Sequence, residues 1–184
     1  MTEPLWVPSP QRVEQSQISQ FQSDLREQGY PVGDDYSALY RWSVEHPQDF
    51  WAALWRYGEV IGEGATVPVL EDADRFPGAR WFPGTRLNFA ENLLRYRDNS
   101  IALVSLLENG ERREISYADL YTRVAQLAAA LRAEGIVPGD RVAGFMPNIE
   151  EAVIAMLAAS SLGALWSSCS PDFGINGVMD RFGQ

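Results

Sequence analysis

The sequence contains no lysine. Its 15 basic residues are all arginines, which run from Arg12 to Arg181. Several catalytic and binding sites depend on the compact, titratable ammonium group of lysine, which the guanidinium group of arginine does not replace. The phosphate-binding loop GxxxxGKS/T, the Schiff-base lysine and the SxxK nucleophile pair are therefore excluded from this chain.

Cysteine and histidine each occur once, as Cys169 and His46. A zinc site built from nitrogen and sulfur ligands is therefore excluded, and so is an internal disulfide. The first residues lack the cationic and apolar regions of a secretory signal. The longest apolar run, residues 152–166, is shorter than the about 20 residues that a membrane helix needs. Together these features favour a cytoplasmic protein.

Positive charge is also scarce. The chain has 25 acidic residues against 15 basic ones, with a formal net charge of −10. Because affinity for nucleic acids rests on clustered cations, a nucleic-acid partner is excluded. The length of 184 residues and the hydrophobic content of 46% are typical of one globular domain, or of one domain with an extension.

The N-terminal part, residues 1–96, reads as a helical extension. Helical patterns cover residues 36–45 and residues 47–57, and the second of these presents an aromatic face that must cover an apolar surface. Four of the six tryptophans lie in the first third of the chain, at Trp6, Trp42, Trp51 and Trp55. A Gly-, Pro- and Asp-rich irregular connection, residues 60–86, follows.

An earlier helix is predicted between Ser9 and Gly29. Ser9 is a good N-cap, Pro10 suits the first helical position, and glycine ends helices. The apolar spacing directs Val13 and Ile18 toward the core, together with later residues of the same helix.

From residue 97 onward the pattern changes to strands. Residues 101–107 and 112–116 are β-rich runs that form a hairpin. The dipeptide Asn109-Gly110 between them predicts a tight turn in which both residues have positive φ.

A strand–helix–strand unit follows a long helix that begins after Ser116 and ends at Gly135. Residues 140–146 form the first strand and residues 164–169 a second, buried strand. Asn148 is predicted to cap the helix between them, whose first turn carries carboxylates that the helix dipole favours.

The predicted fold class is α/β: a helical Trp-rich N-terminal extension, then a β-hairpin and the first β-α-β units of an incomplete parallel, doubly wound sheet. A core-facing helix is predicted from Phe173 onward, with Ser170 or Asp172 as its N-cap. A sheet of these strands alone has an uncovered parallel edge, so we expect further strands beyond Gln184.

Several segments carry a family resemblance. They are WFPGTRLNFAENLL, YADLYTRVAQLAAALRAEGIVPGDRVAGFMPN, EAVIAMLAASSLGALWSSCSPDFG and DRFGQ. In these segments the chain resembles the N-terminal part of the adenylate-forming acyl-CoA synthetases. The resemblance extends over nearly the whole chain and includes the Trp-rich extension that the acetyl- and acetoacetyl-type members place before the shared fold. It implies residues 1–96 as that extension and residues 97–184 as the start of the AMP-binding (adenylation) domain, truncated.

The resemblance implies a reaction for the complete enzyme. Acetoacetate, or another short acyl acid, is activated with ATP and Mg²⁺ to an acyl-adenylate, and the acyl group then passes to CoA with release of AMP. The family's phosphate loop, magnesium motif and catalytic lysine have no matching segment here. We therefore expect no catalytic and no metal-binding residue in this chain, and no activity of the chain alone.

One loop of the chain has a family counterpart near CoA. It holds Ser170, Pro171 and Asp172, and it follows the carboxyl end of a strand, where open α/β sheets bind ligands. In relatives of acetyl-CoA synthetase type, a glycine pair approaches CoA there through its backbone. Pro171 and Asp172 stand in its place, so a purely structural role as helix cap stays open beside the CoA-proximal role.

Two other functional classes remain open. The chain could be a non-catalytic binding or scaffold module that holds a partner protein through the aromatic face near Trp51 and Trp55. It could also be one half of a split acyl-CoA synthetase, completed by a second chain.

Overall fold

The computed structural model describes residues 5–183. It contains both helices and strands, which confirms the predicted α/β class. The chain divides into two compact units, Met1–Arg86 and Leu87–Gln184. The division falls before the boundary that the sequence predicts between residues 96 and 97. The reason is helix α5 (Phe89–Leu93), which buries Ala90 in the core of the second unit. Within residues 5–183, no helix is long and apolar enough to cross a membrane.

The first unit begins with helices α1 (Pro10–Glu14), α2 (Gln17–Glu27), α3 (Tyr36–Glu45) and α4 (Pro47–Tyr57). The predictions for α3 and α4 are confirmed. Their first turns explain why: the Asp35 carboxylate accepts a hydrogen bond from the Ala38 backbone N–H at 2.7 Å, and Pro47 occupies the first turn of α4.

The prediction of one helix between Ser9 and Gly29 is wrong, because the helix breaks at Ser16. The Ser16 hydroxyl donates to the Val13 carbonyl at 2.7 Å and accepts from the Ser19 N–H at 3.3 Å. Serine side chains that bond nearby backbone groups compete with a continuous helix. Val13 and Ile18 are consequently 47% and 48% exposed, so their predicted inward orientation is also wrong.

The core of the first unit is aromatic and aliphatic. Trp51 and Trp55 of α4 pack on residues of the irregular connection, with ring centroids 5.6 Å from Trp81 and 4.6 Å from Phe82. The aromatic face of α4 therefore covers an apolar surface within its own unit. The buried core residues are Phe21, Leu25, Val32, Leu39, Trp42 and Ala53.

The irregular connection contains two short antiparallel ladders. Strand β1 (Glu63–Gly64) pairs with β4 (Thr85–Arg86), and β2 (Leu70–Glu71) pairs with β3 (Arg80–Trp81). An ion pair between Arg80 and Glu71 links the second ladder across its strands.

The second unit continues after α5 with a hairpin, a long helix and a strand–helix–strand unit. In chain order the elements are β5 (Ile101–Leu106), β6 (Arg112–Ser116), α6 (Tyr117–Ala133), β7 (Arg141–Phe145), α7 (Glu150–Ser161), β8 (Leu165–Cys169) and α8 (Ile175–Phe182). Helix α6 begins as predicted, because the Ser116 hydroxyl accepts from the Asp119 N–H at 3.1 Å. Its end at Gly135, which has a φ of +89°, is also confirmed.

The predicted hairpin is confirmed, but the predicted turn geometry is wrong in part. Strands β5 and β6 pair antiparallel, and of the two turn residues only Gly110 has a positive φ, +83°. The Gly110 N–H donates to the Leu107 carbonyl, and the Leu107 N–H donates to the Glu111 carbonyl, both at 2.9 Å. The loop therefore has three residues and a single left-handed glycine.

Helices α6 and α7 form the core of the second unit together with α5 and the inner face of the hairpin. The buried residues of this core are Ala90, Leu94, Ile115, Leu120, Val124, Ala128, Ile154, Leu157 and Ala158. Asn88 connects two of its helices: its side-chain amide donates to the carbonyls of Ser160 and Ser161 at the end of α7, at 3.1 and 3.2 Å.

Strands β7 and β8 form a parallel pair, with α7 as the connection between them. Cys169 is buried, but Leu165 is exposed, so the prediction of a wholly buried second strand is wrong. Helix α8 is present as predicted, yet Ile175 is 82% exposed and the helix does not face a core. The apolar pattern of β8 and α8 indicated a covering layer that residues 5–183 do not supply.

Candidate functional site

The candidate site lies at the carboxyl ends of β7 and β8. Because the strands are parallel, the loop after β7 and the loop after β8 leave the same edge of the pair. A backbone hydrogen bond joins them, in which the Met146 N–H donates to the Cys169 carbonyl at 3.2 Å. This edge is where the loop of Ser170 and Asp172 is placed.

One glycine of β7 leaves room for a tryptophan of β8. Gly144 of β7 is buried, and a Cβ atom at this position would lie 2.5 Å from Cη2 and 2.9 Å from Cζ2 of the Trp166 indole. The indole of β8 therefore lies directly against the backbone of β7. A side chain at residue 144 has no room unless the half-buried indole moves.

The loop after β8 forms a turn that is closed on itself. The Ser170 hydroxyl donates to Asp172 Oδ2 at 2.9 Å, and the Asp172 N–H donates to the Ser170 hydroxyl at 3.4 Å. The Phe173 N–H donates to the Ser170 carbonyl at 3.1 Å, and Pro171 has no backbone N–H. The backbone donors of residues 171–173 are thus absent or used within the turn.

The predicted capping of α8 by Ser170 or Asp172 is wrong. The N-cap residue is Gly174, and the helix start has no side-chain cap hydrogen bond. Ser170 and Asp172 bond each other instead, because the chain makes an additional turn before the helix begins. Arg181 of α8 lies over the Phe173 ring, with its guanidinium carbon 5.2 Å from the ring centroid.

The N-terminus of α7 faces the same edge, and its predicted cap is also wrong. Ile149 occupies the N-cap position without a side-chain cap bond, so Asn148 does not have that role. Glu150, the first residue of the helix, is only 5% exposed. Its Oε1 lies 3.6 Å from Arg113 Nη1, whereas its buried Oε2 has no hydrogen-bond partner among residues 5–183.

The electrostatics of Glu150 favour its charged form. The pKa of Glu150 is lowered from its ordinary value, first by the Ser105 side chain, then by the backbone N–H at the helix start and by Arg113, while burial acts in the opposite direction. Arg113 also binds the Glu111 carboxylate, through Nε at 2.8 Å. Residues of the hairpin therefore hold the carboxylate at the start of α7.

Sequence reasoning missed the pairing of Glu150 with Arg113. The sequence placed Glu150 only in a helix first turn, where carboxylates are usually solvated. One signal was available: Arg113 lies two residues before Ile115, so both share the inner face of strand β6. That alternation places the exposed Arg113 side chain on the face of β6 that carries Ile115, where it reaches the Glu150 carboxylate.

These residues do not fit a metal ion or the phosphates of a nucleotide. In the part of the chain that the structure describes, no group of three or more His, Cys, Asp or Glu side chains could hold a metal ion. The turn after β8 carries the negatively charged Asp172 carboxylate, and residues 171–173 have no free backbone N–H for a phosphate. We therefore assign no chemical step involving ATP or Mg²⁺ to this turn.

A small apolar cleft lies next to the turn. It measures about 290 Å³ and is lined by Phe145, Gly174, Ile175, Val178 and Met179. A larger open cleft of about 900 Å³ lies in the first unit, near Arg12 and Tyr36, and shares no residue with the candidate site. The edge of β7 and β8 thus combines a self-closed polar turn with an apolar wall.

Two family models match the chain. The model described as AMP-binding enzyme matches residues 89–181, and the model described as acetyl-coenzyme A synthetase N-terminus matches residues 36–93.

Individual relatives are similar along nearly the whole chain. The chain is 47% identical to acetoacetyl-coenzyme A synthetase of Rhizobium meliloti (strain 1021) over 181 residues, which are 98% of this chain and 28% of the relative. It is 40% identical to acetoacetyl-CoA synthetase of Macaca fascicularis over 183 residues, 98% of this chain and 27% of the relative. The chain thus spans little more than a quarter of the length of these relatives.

A solved structure is also similar to nearly the whole chain, in backbone as well as in sequence. Acetoacetyl-CoA synthetase from Streptomyces lividans superposes with a TM-score of 0.90 and 43% identity, covering 99% of this chain and 29% of that one.

Proposed function

Because the chain belongs to the AMP-binding enzyme family, we propose that it supplies the N-terminal part of an ATP-dependent, AMP-forming ligase that joins acetoacetate to CoA. The observation that carries this proposal is the likeness to the Streptomyces lividans synthetase in sequence and backbone along the whole chain. Similarity at this level along both units favours a shared activity over a shared fold alone. The single cysteine supports a cytoplasmic location for the protein.

We propose that the remainder of the ligase continues the sheet. Strands β7 and β8 are parallel, and parallel sheets are normally covered on both faces. Phe145, Leu165 and Ile175 are exposed at this pair, which supports further strands and helices packing there as a doubly wound sheet. In this proposal residues 1–96 are the N-terminal extension and residues 97–184 begin the adenylation domain.

The turn of Ser170, Pro171 and Asp172 is proposed to lie close to CoA, on the neutral part of that molecule. The Asp172 carboxylate and the lack of free backbone donors at residues 171–173 disfavour a contact between this turn and the CoA phosphates, which carry negative charge. The apolar wall of Phe145 and Val178 suits an uncharged chain. The role of this chain is therefore to shape one wall of a CoA site, while the groups that bind ATP and Mg²⁺ lie elsewhere in the ligase.

A chimeric enzyme tests the proposal. The first 29% of the Streptomyces lividans synthetase, the part that this chain covers, is replaced by these 184 residues. With acetoacetate, ATP, Mg²⁺ and CoA, the chimera is expected to release AMP and pyrophosphate and to form acetoacetyl-CoA. This chain alone and the remaining Streptomyces lividans part alone are expected to release neither product.

The controls separate the other functional classes. Activity on mixing the two separate parts favours a split enzyme. A chimera that is monodisperse and folded but inactive with acetoacetate contradicts the ligase proposal and leaves the non-catalytic module as the alternative. Turnover by the 184 residues alone, retained through repurification, contradicts the assignment of ATP chemistry to other parts of the ligase.

A further inference from the structure

We draw no further inference here: the strongest candidate, the exposed apolar surface patch that Phe145, Leu165 and Ile175 form on β7, β8 and α8, carries nothing because none of the described residues 5–183 shows what covers it beyond the continuation of the sheet already proposed.

Discussion

The contact between Gly144 and Trp166 leads to a quantitative prediction. In Gly144→Ala, the new Cβ atom would lie 2.5 Å from the indole Cη2, whereas carbon atoms in favourable contact are about 3.5–4.0 Å apart. The indole must therefore retreat by about 1 Å or the strands must separate. Inserting a methyl group that forces such a movement costs about 1–3 kcal/mol of unfolding free energy.

Urea unfolding of the 184-residue chain measures this loss. The matched control is Ala143→Val, which enlarges the neighbouring residue of β7 on its exposed side and should change the unfolding free energy by less than about 0.5 kcal/mol. A second control is Trp166→Leu, which removes the ring that the new methyl group meets. In the Trp166→Leu background, Gly144→Ala should cost at least about 1 kcal/mol less than in the original chain, since residues in contact are coupled.

Two results would refute this reasoning. The first is a loss in Gly144→Ala no larger than that in Ala143→Val, which would show that the indole moves freely. The second is an equal cost of Gly144→Ala with tryptophan or leucine at residue 166. The contact would then not be the cause of the loss.

Three further changes test other parts of the fold. Leu25→Ala should lower the unfolding free energy by about 2–5 kcal/mol in the same urea titration, because Leu25 is fully buried. The exposed Ile18 lies on the same helix, and Ile18→Ala should cost less than about 1 kcal/mol. Equal losses would contradict the assigned orientation of α2. The folded-state pKa of Glu150 is lowered, so its charge stabilises the fold above the ordinary value of 4.5, and this contribution is lost as the pH falls through the folded-state pKa. Glu150→Gln should therefore lose less stability than the original chain between pH 6 and pH 3. Parallel pH profiles of the two proteins would contradict the prediction. Gly110→Val should cost about 1–2 kcal/mol, because a β-branched residue is strained at the φ of +83°, while Asn109→Ala in the same loop, measured alongside, should cost less.

Much of the helical structure could be predicted from the sequence. Helices α3 and α6 have N-caps one residue before a periodic apolar stretch, and these signals are local, so their starts were correct. The break at Ser16 was missed because the apolar spacing continues across it. The break itself depends on hydrogen bonds of a single serine hydroxyl, which the spacing does not show.

The candidate site was harder to predict, since its geometry depends on distant parts of the chain. The segment after β8 was correctly predicted to be a loop, but the sequence did not show that Ser170 and Asp172 bond each other rather than capping α8. Burial of Glu150 depends on Arg113, which lies on another element of the fold. The exposure of Ile175 was not predicted, because an apolar pattern indicates that a helix face is covered but not which residues cover it.

The bonds from Asn88 to the end of α7 determine where the protein can be shortened. A deletion that starts the chain at residue 97 would remove the amide that satisfies the carbonyls of Ser160 and Ser161, and would leave a void where Ala90 and Leu94 pack. A deletion that starts at residue 87 would keep both. Helix α5 therefore belongs to the structural core of the second unit, although it lies within the extension that the sequence predicts, residues 1–96.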